Sequence, residues 1–130
     1  HPQAMSELDL GNTVYVFELY LDAVTRSHLP AFRPLSKFPE VRRDLAILIN
    51  ENVSAQSIED CIRNSTSKIL QEVRLFDIYT GKGVDQGLKS VAFGLILQDF
   101  SRTLTDQDID SEIESVVTAL NQNFAATLRE

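Results

Sequence analysis

The sequence predicts an α+β fold: an antiparallel sheet with two helices on one face, in the order strand, helix, strand, strand, helix, strand, preceded by an N-terminal strand-containing extension. Three observations predict it. Residues 88 to 98 alternate, with Val91, Phe93, Leu95 and Leu97 against Ser90, Ala92, Gly94 and Ile96, so one strand face is bulky and the other small. A second alternating stretch, 69 to 79, precedes it across a glycine-rich loop, as in a hairpin. Finally, residues from Thr105 onward show apolar positions at helical spacing behind three aspartates.

Taken in order, the chain opens with His1-Pro2 and a polar stretch ending at Gly11-Asn12, a turn signal. Such a start suggests a chain cut from something longer. Val14 to Leu21 alternates, with Tyr15, Phe17, Leu19 and Leu21 on one side and Val16 and Glu18 opposite, which predicts a strand in need of sheet partners. Pro30, Pro34 and Pro39 make 27 to 42 an extended connector, with His28 a linker residue.

From Asp44 the elements are regular. Leu45, Ile47 and Ile49 alternate with Ala46 and Leu48, and Asn50-Glu51-Asn52 closes this strand. Ser54 or Ser57 caps a helix whose Ile58, Cys61 and Ile62 share a face, ending within Asn64 to Ser67. In Ile69 to Tyr79 the alternation puts Arg74, Phe76 and Ile78 on one face and Val73, Leu75, Asp77 and Tyr79 on the other. Thr80 to Gly87 is the hairpin loop. Thr105 caps the second helix, whose Ile109, Ile113, Val116, Val117, Leu120 and Phe124 form a stripe, and Asp106, Asp108 and Asp110 suit its positive end. Ala125 to Arg129 completes the set as a short strand. This is the split order of the ferredoxin-like fold, with Leu45, Ile47, Ile49, Phe76, Ile78, Val91, Phe93 and Leu95 expected under Ile58, Ile62, Ile113, Val117 and Leu120.

Composition bounds the function. At 130 residues and 43% apolar, the chain can bury one ordinary core plus an appendage. A single cysteine, Cys61, excludes an internal disulfide, and neither histidine has ligand-spaced partners, so no metal site is expected. No apolar run approaches the roughly 20 residues of a spanning helix, so the reading is soluble, cytoplasmic and without a membrane partner. The net charge of -7 argues against nucleic acid, yet it divides into -3 over residues 1–30, +1 over 31–104 and -5 over 105–130. A near-neutral middle can still carry a basic rim.

The strand face without helices is the informative one. Asp77 and Tyr79 there stand beside Ser90, Ala92 and Gly94, so an aromatic ring among small side chains offers a nucleobase a place to lie. A carboxylate accepts from the donors on a base edge, and guanine presents both an exocyclic amino group and a ring N–H. The ring supplies affinity and the carboxylate choice. The plainer reading is a solvent-facing packing tyrosine at the end of an edge strand.

Phe32 to Pro39, continuing Glu40-Val41-Arg42-Arg43-Asp44-Leu45-Ala46, resembles the opening of the anticodon-binding domain of the bacterial phenylalanyl-tRNA synthetase beta subunit family. Leu75-Phe76-Asp77-Ile78-Tyr79, Gly81-Lys82-Gly83, Lys89-Ser90-Val91-Ala92 and Gln98-Asp99-Phe100-Ser101-Arg102-Thr103-Leu104 follow in the same order. Val16-Phe17-Glu18-Leu19 resembles the last strand of that subunit's inactive catalytic-like core. The resemblance implies two parts, a core tail with linker over 1–30 and a ferredoxin-like anticodon-binding domain over 31–130. It implies contact with phenylalanine tRNA, whose first anticodon base, guanine, stacks on Tyr79; Asp77 and Ser90 match the accompanying polar positions, Ala92 the small neighbour, and Arg129 a backbone contact. It implies no catalytic residue and no cofactor in this stretch, with ATP and magnesium used by the parent ligase and an alpha subunit met through the parent chain.

Other features have plainer readings. Arg42 and Arg43 suit either phosphate or a structural ion pair with Asp44, and Lys82 either RNA or a simple turn. Arg102 is expected to pin the third strand to the second helix, and Cys61 to be inert core. An acylphosphatase-like hydrolase would need an anion cradle that Asn50 to Ser57 lacks. The alternative of another class is a ferredoxin-like small-molecule-binding regulatory module, which would bind an effector in a dimer. Val14 to Leu21, deprived of its sheet, is expected to pair with another copy, giving a homodimer, or to pack back on its own domain.

Overall fold

The computed structural model describes residues 1–12, 14–25, 31–32 and 35–129, in two units, His1–Pro34 and Leu35–Glu130. Thr13, the segment 26–30 with His28, Arg33 and Pro34 lie outside the described residues, and with them part of the expected connector.

The first unit departs from expectation. Its polar opening forms a short helix α1 (Pro2–Glu7), with proline at the first turn and the His1 ring accepting from the Gln3 amide at 3.3 Å. A single turn, α2, spans Leu21–Val24. The strand expected over Val14 to Leu21 is not formed: residues 14–20 carry no sheet pairing, and Tyr15, Val16, Phe17, Leu19 and Tyr20 are exposed. The N-terminal extension is thus strandless among its described residues. Alternation says which side chains share a face, but a strand also needs a neighbour for its amides and carbonyls.

In the second unit the expected order is realised as β1 (Val41–Asn50), α3 (Ala55–Ser65), β2 (Leu70–Tyr79), β3 (Leu88–Leu97), α4 (Asp106–Phe124) and β4 (Thr127–Leu128). All four strands join one antiparallel sheet in the spatial order β2-β3-β1-β4. The two hairpin partners are adjacent and the short last strand closes the far edge, the arrangement of a ferredoxin-like α+β fold. Ser54 caps α3, its hydroxyl accepting from the Ser57 amide at 3.0 Å.

The helices cover one face. Ile58 and Ile62 of α3 and Val116 and Leu120 of α4 share a buried cluster with Leu45, Ile47 and Ile49 of β1, Val73 of β2, and Val91, Phe93 and Leu95 of β3. Leu97, Leu104 and Ile109 extend it at the end where β3 turns into α4. Cys61 packs against the main cluster, half-buried, and burial raises its thiol pKa.

Two residues expected in this core are not there. Phe76 and Ile78 are about half exposed, and Leu75, expected on the open face, pairs with Phe93 on the helix side. For Phe76 and Leu75 the cause is a β-bulge between Leu75 and Asp77, where one extra residue reverses the phase, whereas Ile78 keeps the helix side and is only half covered there. Up to the bulge, Val73 and Leu75 face the helices and Arg74 faces away; beyond it, Ile78 lies on the helix side opposite Val91, while Asp77 and Tyr79 face away. A second irregularity lies between Leu70 and Glu72.

The turn from β3 into α4 is fixed by charge. Thr105 and Asp108 form a reciprocal capping box, and Arg102 grips the same carboxylate with a fork of 2.6 and 2.8 Å while reaching Asp99 at 3.7 Å. Arg102 therefore pins the end of β3 to α4, as its place between them suggested. The Arg102 fork first, then the Thr105 hydroxyl and amide, holds the Asp108 carboxyl well below the usual carboxylate range.

Two predictions follow from this packing. Phe93 is fully buried between both helices and the sheet; Phe93→Ala is expected to lower stability by about 3–5 kcal/mol, read as a reduced urea midpoint at unchanged slope. For Asp108, a depressed folded pKa means stabilisation that is present above the ordinary value of about 4 and lost as the pH falls through the folded one. The melting-temperature gap between the native chain and Asp108→Asn should be widest near neutrality and narrow below about pH 4; a gap unchanged down to strong acid would refute the assignment.

Candidate nucleic-acid interface

In an antiparallel sheet, paired residues share a face, so the register gives the composition of the side away from the helices. One row across the four strands runs Thr127, Leu48, Ser90, Tyr79. The next runs Ala46, Ala92, Asp77, with Arg129 tied to Ala46 by a backbone hydrogen bond of 3.0 Å. Beyond these lie Asp44, Gly94 and Arg74, then Arg42, Ile96 and Glu72. Among the described residues of this unit, both helices lie on the other face.

The structure brings all five sequence-derived site residues together. Tyr79 stands opposite Ser90 with 38% of its surface exposed, and Asp77 opposite Ala92. Ser90 and Ala92 are themselves buried, at 4% and 8%, because larger neighbours lean over them. Arg129 is the chief of these. Its guanidinium donates to the Ser90 hydroxyl at 2.9 Å and sits over the Tyr79 ring, 5.4 Å from the centroid. The residue expected to touch an RNA backbone thus covers the expected stacking ring.

Tyr79 is also held from the hairpin side. Its hydroxyl donates to the Lys82 carbonyl at 3.2 Å, and the ring lies against Gly81, where an added Cβ would come within 2.8 Å of the phenolic oxygen. Gly81 is what lets the loop fold onto the ring, and Lys82 serves the site through its backbone. The chemistry available is therefore a pre-oriented aromatic plane, a nearby carboxylate, a hydroxyl and a guanidinium, suited to stacking a flat base and bonding its edge.

The two adjacent arginines separate. Arg43 points to the helix side, beside a cleft lined by Asp110, Glu114 and Leu128, while Arg42 lies on the open face in an ion pair with Asp44 at 2.7 Å. The Arg42 guanidinium also sits over the Phe76 ring, 5.5 Å from its centroid. Sequence reasoning missed Phe76 and Arg42 as members of this face. The available signal was the run Leu75-Phe76, two consecutive apolar residues that break strict alternation.

The ferredoxin-fold anticodon binding domain family matches residues 36–129. Among curated proteins, the chain is 48% identical over 130 residues to the phenylalanine–tRNA ligase beta subunit of Nitrosococcus oceani and 48% over 130 residues to that of Pseudomonas fluorescens strain Pf-5. It is 42% identical over 129 residues to that of Dechloromonas aromatica. Each match takes in 99 to 100% of this chain but 16% of the relative, so the chain spans about a sixth of their length. It belongs to the ferredoxin-fold anticodon binding domain family, in a sequence similar from end to end to phenylalanine–tRNA ligase beta subunits.

Proposed function

We propose that the helix-free sheet face binds the anticodon of phenylalanine tRNA, with the first anticodon base, guanine, stacked on Tyr79. Asp77 accepts from the amino and ring N–H donors of that base, Ser90 and Ala92 form the floor, and Arg129 moves from the ring to the RNA backbone. The observation that carries the reading is the register: Tyr79 opposite Ser90 and Asp77 opposite Ala92, on a face with no helix of this unit. The family match supports it.

In this reading the domain performs no chemistry. The parent enzyme, acting in the cytoplasm, esterifies phenylalanine to its tRNA with ATP and magnesium in the alpha subunit, and this unit contributes recognition. Replacing Tyr79 with Ala in that enzyme removes one stacking surface, worth about 1–3 kcal/mol or roughly 5- to 150-fold. The expected result is a fall of that order in kcat/KM for tRNA with phenylalanine activation unchanged; an unaltered kcat/KM would end the assignment.

The apolar side chains exposed between Tyr15 and Leu21 are proposed to pack on neighbouring parts of the longer parent and, in this chain alone, on another copy. Sedimentation at rising concentration should then show a dimer that disappears when residues 1–27 are removed. A monomer at all concentrations for both forms would refute it.

A further inference from the structure

The geometry points to a second stacking position on the same face: Phe76, Arg42 and Gly94 form a platform for a nucleotide flanking the one on Tyr79. This inference rests on the anticodon-binding reading and extends it. Its first support is repetition. At both positions an aromatic ring from β2 lies under a guanidinium from elsewhere in the sheet layer, at 5.5 Å for Arg42 of β1 on Phe76 and 5.4 Å for Arg129, just past β4, on Tyr79. Each guanidinium is tethered by one further bond, Arg42 to Asp44 at 2.7 Å and Arg129 to Ser90 at 2.9 Å. Both positions draw small residues from β3, Gly94 beside one and Ser90 with Ala92 beside the other.

The second support is the bulge. The extra residue leaves two consecutive side chains, Phe76 and Asp77, on the open side, so Phe76, about half exposed, joins that face instead of the core place that the phase of Asp77 and Tyr79 alone would give it. Bulges recur beside functional sites because they re-aim a side chain in this way. Gly94 is the third. A Cβ there would stand 3.2 Å from the Arg42 side chain and 3.3 Å from the Asp44 carboxylate, so the glycine lets the ion pair lie low across the sheet and keep its guanidinium over the ring.

A nucleotide is the occupant that fits. A flat base can stack on the ring, or on the guanidinium, while Arg42 and Arg74, paired on the same face with Asp44 and Glu72, keep further N–H donors for phosphate. Phe76 and Tyr79 lie three residues apart on one strand, about 10 Å at ordinary strand rise, so one short length of RNA crosses both. A ring that only stacks tolerates any base, and this position therefore adds affinity and register, leaving choice to Asp77.

The test uses the parent enzyme and a phenylalanine tRNA anticodon stem-loop, intact, abasic at the guanine, and abasic at each flanking nucleotide. Phe76→Leu is expected to weaken the intact loop about fivefold or more, and that loss should vanish for one of the two flanking-abasic loops. Phe76→Tyr keeps a ring and should keep the affinity. Unchanged binding by Phe76→Leu, an equal loss on every loop, or a loss as large for Phe76→Tyr would overturn the second position. Tyr79→Leu separates the two ideas. Weakening there, erased by the guanine-abasic loop, leaves the first reading standing whatever Phe76 does; no weakening removes the first reading and with it this extension.

Discussion

The structure depends on the alternation of β3. That strand lies between β1 and β2, so its side chains meet neighbours on both faces. Val91, Phe93, Leu95 and Leu97 are almost wholly buried on the helix side, where they join the core clusters. Ser90, Ala92 and Gly94 leave the opposite side low. One period-two pattern therefore does two things: it gives the helices something to pack on, and it hollows the other face so that residues from the flanking strands can lie across it. A slip of one residue in register would exchange the faces and destroy both at once.

How much of this was legible follows from which features are local. The periods of β1, β3 and α4, the caps at Ser54 and Thr105, and the grouping of Tyr79, Asp77, Ser90 and Ala92 can all be read along the chain, because each rests on spacing within a few residues or on one hairpin, whereas Arg129 entered only through the family resemblance. The bulge cannot. Whether Phe76 is paired or extra is decided by the partner strand, and every residue before or after it changes face accordingly. The same limit undid the expected strand at Val14 to Leu21, whose alternation is present and whose neighbour is not. Arg129 does lie beside Ser90, but its place over Tyr79 is a tertiary fact.

The acidic balance also acquires a location. Asp106, Asp108 and Asp110 belong to the first turns of α4, on the far side of the sheet from the open face, and Asp108 is consumed by the cap and by Arg102. On the open face, Asp44 is paired with Arg42 and Glu72 with Arg74. At physiological salt, where screening acts over about 8 Å, charge across the sheet weakens quickly. A chain of net charge -7 can therefore present a locally balanced surface whose guanidinium groups lie over aromatic rings.

The position of Arg129 bears on how such a face would discriminate. Its contact with an accessible ring is worth about 0.5–1 kcal/mol, and its bond to Ser90 adds a charge-assisted contribution of about 1.5–3 kcal/mol. Stacking a base on the same ring returns about 1–3 kcal/mol. On the proposed reading, a base that merely stacks exchanges one set of contacts for another of similar size and gains little. A base whose edge also donates to Asp77 gains beyond the exchange, and the released guanidinium gains again if phosphate is within reach. In that reading the self-contact costs every base the same amount, and the difference between bases comes from the bond to Asp77. On that reading, closure of the ring by the chain's own arginine lowers the affinity for every base alike and leaves the choice between them to Asp77.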